Sequence, residues 1–335
     1  MSRQWSWAIL PGMSRYKVVI TDNLFDDCQQ EEDVFKNQNV DLEIYRQLNR
    51  PQLLQKVRTA DALLVNMVNI DRGFIQSLQH CRIISRYGIG FDNVDIQAAA
   101  EKGIPVGIIP GYCTTEVAEH AAAMLLSAAR RIPQRHELVR KGHWRDSLGH
   151  SLFRIRGSVL GILGYGKTGR AIHEQLQGFG FSRILVHSRG LVPGSRLDNG
   201  AEAVSLDTLL HVSDYLTVHL PLTEETRHML NEKRLFSMKT GSVLINTARG
   251  GVLDEKALFS ALTKGPLRAA ALDVLETEPP LPENPLLTLD NVVITDHEAY
   301  YSEQSVVDLK RKTAENVLSV LKTGKPVFAV SDLTE

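Results

Sequence analysis

Three glycines near the middle of the chain have the spacing of a nucleotide-binding turn. Gly164, Gly166 and Gly169 follow the apolar run Val159–Leu163 in the pattern G-x-G-x-x-G. In such a turn the first glycine allows a tight bend, the second lets the backbone approach a pyrophosphate, and the third lets the next helix pack closely on the sheet. The free N–H groups at the amino end of that helix face the phosphates. Glycines also fall at this spacing by chance, but the strand-like run before the turn and the helix-like residues 170–179 after it favour nucleotide binding over a plain turn.

The residues after the next predicted strand indicate which dinucleotide binds. A turn that prefers NAD has an acidic residue about 20 residues beyond the glycines, where it bonds the ribose 2′-hydroxyl. No Asp or Glu occurs in residues 181–197, whereas Ser188 and Arg189 follow the strand-like run Arg183–His187. A hydroxyl and a guanidinium can bond a 2′-phosphate, so the sequence predicts that NADP(H) is preferred and NAD(H) possible. In the alternative, Arg189 is a solvated loop charge and the cofactor is NAD.

Three more stretches carry side chains that could do chemistry at the ends of predicted strands. They contain Arg249 within 245–251, Asp273 and Glu278 within 271–280, and His297 within 292–299. An arginine can bind a carboxylate, and an imidazole beside a carboxylate can transfer a proton. Each residue alone also has an ordinary structural explanation: a surface charge for Arg249, a loop carboxylate for Glu278, and a capping or core residue for His297. For His297 alone, the structural explanation is the favoured one.

The hydrophobic pattern predicts the elements that would position these groups. Short runs rich in β-branched residues alternate with polar, helix-like segments along the chain. The strands predicted before residue 112 are 16–20, 40–45, 62–65, 82–85 and 105–109. Those predicted after the glycine turn are 183–187, 201–204, 215–220, 242–246, 267–272 and 292–295. Strands that alternate with helices form parallel sheets covered on both faces, so the sequence predicts two doubly wound α/β domains.

The predicted helices place the domain boundaries. A helix over 115–131, with Thr114 or Thr115 as its cap and Pro133 at its end, is expected to join the two domains. A polar excursion over 136–155 is either a flexible loop or an arm that embraces a partner subunit. The last helix, 302–321, is expected to return the chain to the first domain. We therefore predict a discontinuous flavodoxin-like substrate domain, 1–112 with 302–335, and an inserted Rossmann domain, 113–301.

A glycine-bearing loop over 87–92 directly follows the fourth predicted strand. Loops at the carboxyl ends of parallel strands are where such sheets bind ligands. Gly88 and Gly90 would free backbone N–H groups to hold an anion. A plain tight turn explains the glycines equally well.

Length, net charge and cysteine content limit the classes of protein to consider. With 335 residues the chain exceeds the usual size of one domain, and its net charge of -1 gives no electrostatic case for binding nucleic acid or a membrane. The three cysteines are far apart and contain no C-x-x-C, which argues against a metal site and a disulfide framework. The apolar run near the first residues is too short for a signal peptide or a membrane span. The expected compartment is the cytoplasm.

Taken together and in this order, the motifs resemble the D-isomer specific 2-hydroxyacid dehydrogenases. This family includes phosphoglycerate dehydrogenase, glyoxylate reductase and the C-terminal-binding-protein corepressors. The resemblance rests on residues 85–107 (SRYGIGFDNVDIQAAAEKGIPVG), 116–126 (EVAEHAAAMLL), 216–230 (LTVHLPLTEETRHML) and 244–258 (LINTARGGVLDEKAL). The last motif is highly specific. The segment 299–305 (AYYSEQS) is most similar to the corepressor branch and its bacterial enzyme relatives.

The resemblance implies roles for particular residues. Arg249 would bind the substrate carboxylate and carbonyl oxygen, His297 would be the acid/base, and Glu278 would orient His297 and raise its pKa. The loop residues Tyr87, Gly88 and Ile89 would receive the substrate carboxylate through backbone N–H groups. The cofactor-binding residues predicted from the turn and the resemblance are Gly164, Tyr165, Gly166, Lys167, Thr168, Ser188, Arg189, Leu220, Pro221, Thr115, Thr247 and Asp273. A small 2-oxo or 2-hydroxy acid is the implied partner, and a homodimer with 136–155 as the crossing arm is the implied assembly.

Two departures from the family leave alternatives open. Asp296 and Glu298 flank His297 where the family usually has a proline and a small residue. These carboxylates could raise the pKa of His297 further or crowd out an anionic substrate. A dinucleotide-sensing interaction protein with little turnover, in the manner of the corepressors, is the alternative function. A larger or phosphorus-bearing oxo acid would also fit the arginines.

Overall fold

The computed structural model describes residues 15–145 and 151–333. These residues form two compact units. The first contains the described residues up to Tyr112 and those from Glu303 onward, and the second runs from Cys113 to Ser302. No helix in the described ranges is long and apolar enough to cross a membrane.

The first unit is a five-stranded parallel sheet with the order β2-β1-β3-β4-β5. This is the flavodoxin-like order. Its strands are β1 (Tyr16–Ile20), β2 (Val40–Ile44), β3 (Ala62–Val65), β4 (Ile84–Arg86) and β5 (Val106–Gly107). Its helices are α1 (Gln29–Phe35), α2 (Arg50–Val57), α3 (Arg72–Ser77), α4 (Ile96–Glu101) and, from the end of the chain, α11 (Glu303–Thr323). The long helix α11 packs against α1, β3 and β4.

The second unit is a seven-stranded parallel sheet with the order β12-β11-β10-β9-β6-β7-β8. Its strands are β6 (Val159–Leu163), β7 (Arg183–His187), β8 (Glu202–Ala203), β9 (Tyr215–Val218), β10 (Ser242–Asn246), β11 (Leu267–Leu272) and β12 (Val292–Ile294). Its helices are α5 (Thr114–Arg130), α6 (Ile132–Arg140), α7 (Lys167–Leu176), α8 (Leu206–Val212), α9 (Glu232–Phe236) and α10 (Glu255–Thr263). Six of the strands follow the Rossmann order, and β12 extends that sheet at one edge. The predicted pair of doubly wound parallel sheets is confirmed.

Burial explains why the sequence forms these sheets. Every residue of the central strands β3, β9 and β10 is buried, because helices cover both faces of a parallel sheet. The edge strands β2 and β12 are only partly buried and carry more polar or half-exposed positions. The ligand-binding edge of each sheet is the one at the carboxyl ends of its strands.

The region after Tyr112 differs from the prediction. Cys113 precedes α5 without a side-chain capping bond, so neither Thr114 nor Thr115 is the cap. The helix α5 packs against α7, β10 and β11, so it covers the sheet of the second unit. It ends at Arg131, whose φ of 53° is left-handed.

A second helix starts where a loop was expected. Pro133 lies in the first turn of α6, where a residue without an N–H leaves no helical bond unmade. The beginning of the predicted excursion 136–155 is therefore helical as far as Arg140. Residues 146–150 of the excursion lie outside the described residues.

Candidate active site

The glycine turn joins β6 to α7, and each glycine meets a different steric demand. Gly164 has a φ of +92°, and a Cβ there would lie 2.5 Å from the carbonyl oxygen of His219. A Cβ on Gly169 would lie 2.2 Å from the carbonyl oxygen of Gly164, so the helix can approach the strand only because this residue has no side chain. A Cβ on Gly166 would meet nothing within 4 Å. These are the tight bend, the close helix packing and the open backbone of a dinucleotide turn.

The amino end of α7 suits a phosphate. Gly166 precedes the helix without a side-chain cap, and Lys167 and Thr168 form its first turn. Uncapped N–H groups at a helix start attract anions. Tyr165 differs from its neighbours in the turn, because its side chain is 4% exposed and its hydroxyl lies 2.5 Å from Nδ1 of His173. Only the backbone of Tyr165 therefore remains for contact with a cofactor.

The other predicted cofactor residues lie near ends of the same sheet. Thr115 is exposed in the first turn of α5, and Leu220 and Pro221 follow β9. Thr247 follows β10 and is 7% exposed, and its buried hydroxyl has no hydrogen-bond partner among the described residues. An orphaned buried hydroxyl and the open face of Gly166 both fit a bound dinucleotide.

The structure adds a carboxylate to the predicted 2′-phosphate site. Ser188 is half-buried just after β7, and the next side chain, that of Arg189, is 87% exposed. One guanidinium nitrogen of Arg189 lies 3.3 Å from Oε2 of Glu225, in the loop after β9. Sequence reasoning missed Glu225 because it considered only the residues after β7.

The predicted chemistry-bearing residues come from three strands that are neighbours in the sheet. Arg249 follows β10, Glu278 follows β11 and His297 follows β12. Because the strands are parallel, their carboxyl ends lie at one edge. Arg249 is half-buried, and Asn246 holds its loop by donating from Nδ2 to the carbonyl oxygen of Arg249 at 2.9 Å.

His297 and Glu278 form a direct pair. Nδ1 of His297 lies 2.6 Å from Oε2 of Glu278, and the backbone N–H of Leu275 donates to the other carboxylate oxygen at 2.9 Å. His297 has a φ of 60°, which is uncommon for a residue with a side chain. Strained backbone of this kind is typical of functional sites, where surrounding contacts maintain it.

Asp273 supplies contacts that maintain the loop of His297. Its carboxylate accepts hydrogen bonds from the hydroxyl of Thr295 at 2.6 Å and from the backbone N–H groups of Glu298 and Ala299, each at 3.0 Å. Its carbonyl oxygen accepts from the N–H of His297 at 2.9 Å. Asp273 is 1% exposed, so its observed contacts are with the protein. The side chains of Asp296 and Glu298 are exposed.

His120 on α5 is a second residue that sequence reasoning did not single out. Its Nε2 lies 3.0 Å from the hydroxyl of Thr295 and 3.4 Å from Oδ1 of Asp273. The motif at 116–126 contained this residue, but only the packing of α5 on the sheet brings it to the site. Through Thr295 and Asp273, His120 therefore adds a residue of α5 to the hydrogen bonds that support the loop of His297.

Electrostatics favour ionised carboxylates at both positions. Burial opposes ionisation of Glu278, but the His297 hydrogen bond and charge, the Leu275 N–H and the Arg249 charge together lower its pKa. Burial likewise opposes ionisation of Asp273, but hydrogen bonds from His120, Thr295 and the Ala299 N–H lower its pKa. Both groups therefore stay charged acceptors near neutral pH.

The glycine-bearing loop of the first unit corrects part of the prediction. The N–H of Tyr87 donates to the carbonyl of Val65 at 2.9 Å, and that of Gly88 donates to the carbonyl of Arg86 at 3.0 Å. Neither is free to hold an anion, because the turn uses both itself. Within residues 15–145 and 151–333, the N–H groups of Ile89 and Gly90 have no acceptor. These two groups can hold a carboxylate.

Comparison with known proteins agrees with this architecture. Residues 122–299 match the family model described as D-isomer specific 2-hydroxyacid dehydrogenase, NAD binding domain. The chain is 39% identical over 280 residues to a glyoxylate reductase of Thermococcus litoralis, covering 82% of this chain and 84% of that protein. It is 36% identical over 312 residues to a D-3-phosphoglycerate dehydrogenase of Archaeoglobus fulgidus, covering 93% of this chain but only 58% of that protein.

A solved structure is similar over almost the whole chain. It is that of an NADPH-dependent glyoxylate/hydroxypyruvate reductase from Sinorhizobium meliloti, in complex with NADP and malonate. The TM-score is 0.83 at 27% identity, and the match covers 95% of this chain and 98% of that one. The chain belongs to the D-isomer specific 2-hydroxyacid dehydrogenase family.

Proposed function

We propose that the protein is an NADP(H)-dependent oxidoreductase that interconverts a small 2-oxo acid and a D-2-hydroxy acid. The observation that carries the proposal is the 2.6 Å contact between His297 and Glu278 at the sheet edge that also holds Arg249. A bound nicotinamide supplies or accepts the hydride. The residues of this chain bind the acid, stabilise the changing charge on oxygen and move one proton.

The proton is handled by His297. Because Glu278 accepts the Nδ1–H, the Nε2 atom is left to hold a proton that it gives to the carbonyl oxygen during reduction. In oxidation the same atom takes the proton from the hydroxyl. Glu278 keeps the ring in one orientation.

Arg249 binds the acid and stabilises negative charge on its carbonyl oxygen. A guanidinium can bond a carboxylate and an adjacent oxygen at the same time. Its attraction for the carbonyl oxygen becomes stronger as negative charge grows there during hydride transfer. The free N–H groups of Ile89 and Gly90 bind the substrate carboxylate. Asp273 supports the His297 loop, and it is the residue that would hold the nicotinamide carboxamide when the cofactor binds.

The preference for NADP(H) rests on Ser188 and Arg189. No carboxylate follows β7 in the sequence, and the exposed guanidinium of Arg189 is accessible to a 2′-phosphate. The NADP-bound reductase from Sinorhizobium meliloti supports the same cofactor for this chain. A phosphate would have to draw Arg189 away from Glu225.

The expected assembly is a homodimer. Four large exposed apolar side chains on and after α6 support an interface with a second copy, since such side chains would lose their contact with water there. They are Ile132, Val139, Trp144 and Phe153, exposed by 53%, 49%, 72% and 56%. Analytical ultracentrifugation tests this assembly, and a monomer at micromolar concentration would contradict it.

The decisive experiment is a side-by-side assay with NADPH and NADH. Loss of reduced-nicotinamide absorbance is followed with glyoxylate, hydroxypyruvate, pyruvate and bulkier 2-oxo acids. Turnover with a clear advantage for NADPH supports both the reaction and the cofactor. Cofactor binding with no turnover on the panel would instead favour the dinucleotide-sensing alternative.

A further inference from the structure

A buried cluster of charged and polar side chains contacts Tyr87 in the glycine-bearing loop over 87–92 of the first unit. Glu31 on α1 is fully buried, and Lys310 on α11 is 3% exposed. The hydroxyl of Tyr87, which is itself 3% exposed, donates to Oε1 of Glu31 at 2.7 Å. The Nζ atom of Lys310 lies 3.8 Å from Oε2 of Glu31 and donates to Asp27 at the surface.

Stability of the fold does not explain this cluster. Charges buried among core residues lose hydration, and a buried ion pair is often no better than apolar residues of the same volume. Oε2 of Glu31 accepts no hydrogen bond from any residue that the structure describes. Burial raises the pKa of Glu31 and raises that of Tyr87 well above its usual range. Burial therefore disfavours the charged form of Glu31, so placing this carboxyl group in the core has a cost.

The cluster has one connection to the proposed chemistry, through Tyr87. The N–H of Tyr87 is bonded to Val65, its carbonyl oxygen accepts from the Arg86 guanidinium at 2.5 Å, and its hydroxyl is held by Glu31. The next residue, Gly88, has a φ of +134°, and its carbonyl accepts from the N–H of Ile109 at 2.9 Å. The backbone is thus held just before the two free N–H groups of Ile89 and Gly90.

We infer that Glu31 and Lys310 are positioning residues that act through Tyr87. Glu31 holds its hydroxyl, and Lys310 lies beside the Glu31 carboxylate. The held tyrosine keeps the N–H groups of Ile89 and Gly90 in the geometry that receives the substrate carboxylate. A loop already held in its binding geometry loses less freedom when the acid binds, so the benefit is in substrate affinity. This inference rests on the proposed function.

The test is the kinetics of Tyr87→Phe, Glu31→Gln and the double variant. We expect each single change to raise the KM for the 2-oxo acid by roughly 5- to 30-fold, because Tyr87→Phe removes the buried hydrogen bond to Glu31 and Glu31→Gln weakens it. The value of kcat and the KM for NADPH should change by less than about threefold, since the loop is not part of the cofactor turn. The double variant should resemble Tyr87→Phe, because both changes act on the same hydrogen bond and Tyr87→Phe already removes it.

The chain supplies a matched control in the same unit. Tyr45 donates to Glu43 at 2.6 Å, and Lys17 lies 3.1 Å from that carboxylate, so the same three residue types meet on β1 and β2. Tyr45→Phe and Glu43→Gln should leave the KM for the acid unchanged. Equal KM effects in the control pair, additive effects in the double variant, or a wild-type KM in Tyr87→Phe would overturn the inference.

Hydrogen exchange separates this inference from the proposed function. If the wild type turns over none of the acids, the proposed function fails first. Exchange of the amides at residues 87–90 is then compared in wild type, Tyr87→Phe and Tyr45→Phe. Faster exchange in Tyr87→Phe alone supports the positioning role, and equal exchange in all three overturns it.

Discussion

At the scale of single residues, the proposed chemistry depends on His297 and Arg249 in different ways. His297→Ala removes the proton donor and should lower kcat by about 10²- to 10⁴-fold with little change in KM. Arg249→Ala should raise the KM for the acid and also lower kcat, because in the proposed mechanism Arg249 binds the substrate and stabilises the growing charge. Steady-state kinetics with the best 2-oxo acid measure both. Near-normal turnover in His297→Ala would contradict the mechanism.

Cofactor preference also belongs to this scale. In the proposed site Glu225 would compete with a 2′-phosphate for Arg189, so Glu225→Gln should raise the efficiency with NADPH by about two- to fivefold, as expected for an exposed ion pair. Arg189→Asp should reverse or abolish the preference for NADPH. Glu224→Gln is the matched control, because Glu224 is an exposed neighbouring carboxylate. An unchanged NADPH-to-NADH ratio in Arg189→Asp would rule out the assignment.

At the scale of elements, the glycine turn separates binding from packing. Gly166 faces open space, so Gly166→Ala should leave thermal stability unchanged while raising the Kd for the dinucleotide about tenfold or more. Gly169 abuts the Gly164 carbonyl, so Gly169→Ala should destabilise the protein by about 1–3 kcal/mol. Fluorescence titration and thermal unfolding measure the two effects. A large loss of thermal stability in Gly166→Ala, or unchanged stability in Gly169→Ala, would contradict the geometry.

The sheet edge at β10, β11 and β12 is the second element that matters. Asn246, Asp273 and Glu278 hold the loops of Arg249 and His297 through hydrogen bonds. The side chains of Arg249 and His297 are therefore supported by hydrogen bonds to residues at or just beyond these strand ends, and not by their own loops alone. Hydrogen bonds that fix the residues around a site keep it near its productive geometry.

At the scale of the whole molecule, stability should decline on mild acidification. Burial lowers the pKa of His219 to about 4 and also lowers that of His173. The unfolded chain binds protons at these histidines below about pH 6.5, whereas the folded chain keeps His219 neutral down to about pH 4. Acid therefore favours the unfolded state within that window.

The measurement is the melting temperature between pH 7.5 and 5. Carboxylates with lowered pKa values, such as Glu278, lose their stabilising contribution only at more acidic pH. The raised pKa of Glu31 acts in the opposite direction to the histidines, so the histidine contribution is read from the difference between variant and wild type. We expect His219→Gln to reduce the slope of melting temperature against pH, whereas His80→Gln, at an exposed position, should retain the wild-type slope. Equal slopes in His219→Gln and wild type would contradict this account.

Much of the architecture and of the candidate site can be predicted from short stretches of the sequence. The alternation of apolar runs predicts the strands, and the observed bounds of β1, β3, β7, β10 and β11 agree with it. The spacing of Gly164, Gly166 and Gly169 predicts the turn, because a tight bend and close backbone approach require glycine at those positions. The resemblance of 244–258 and its neighbours points to Arg249, Glu278 and His297.

The remaining features depend on packing between residues far apart in the chain. Glu225 reaches Arg189 across 36 positions, Tyr87 reaches Glu31 across 56, and Lys310 reaches Asp27 across 283. The spacing of hydrophobic residues and the residue types at turns do not indicate which distant side chains will pair. The sequence by itself determined the two sheets, the glycine turn and the reactive residue types. Only the tertiary structure decided which side chains meet, because hydrogen bonds and ion pairs form where packed elements bring them within about 3 to 4 Å.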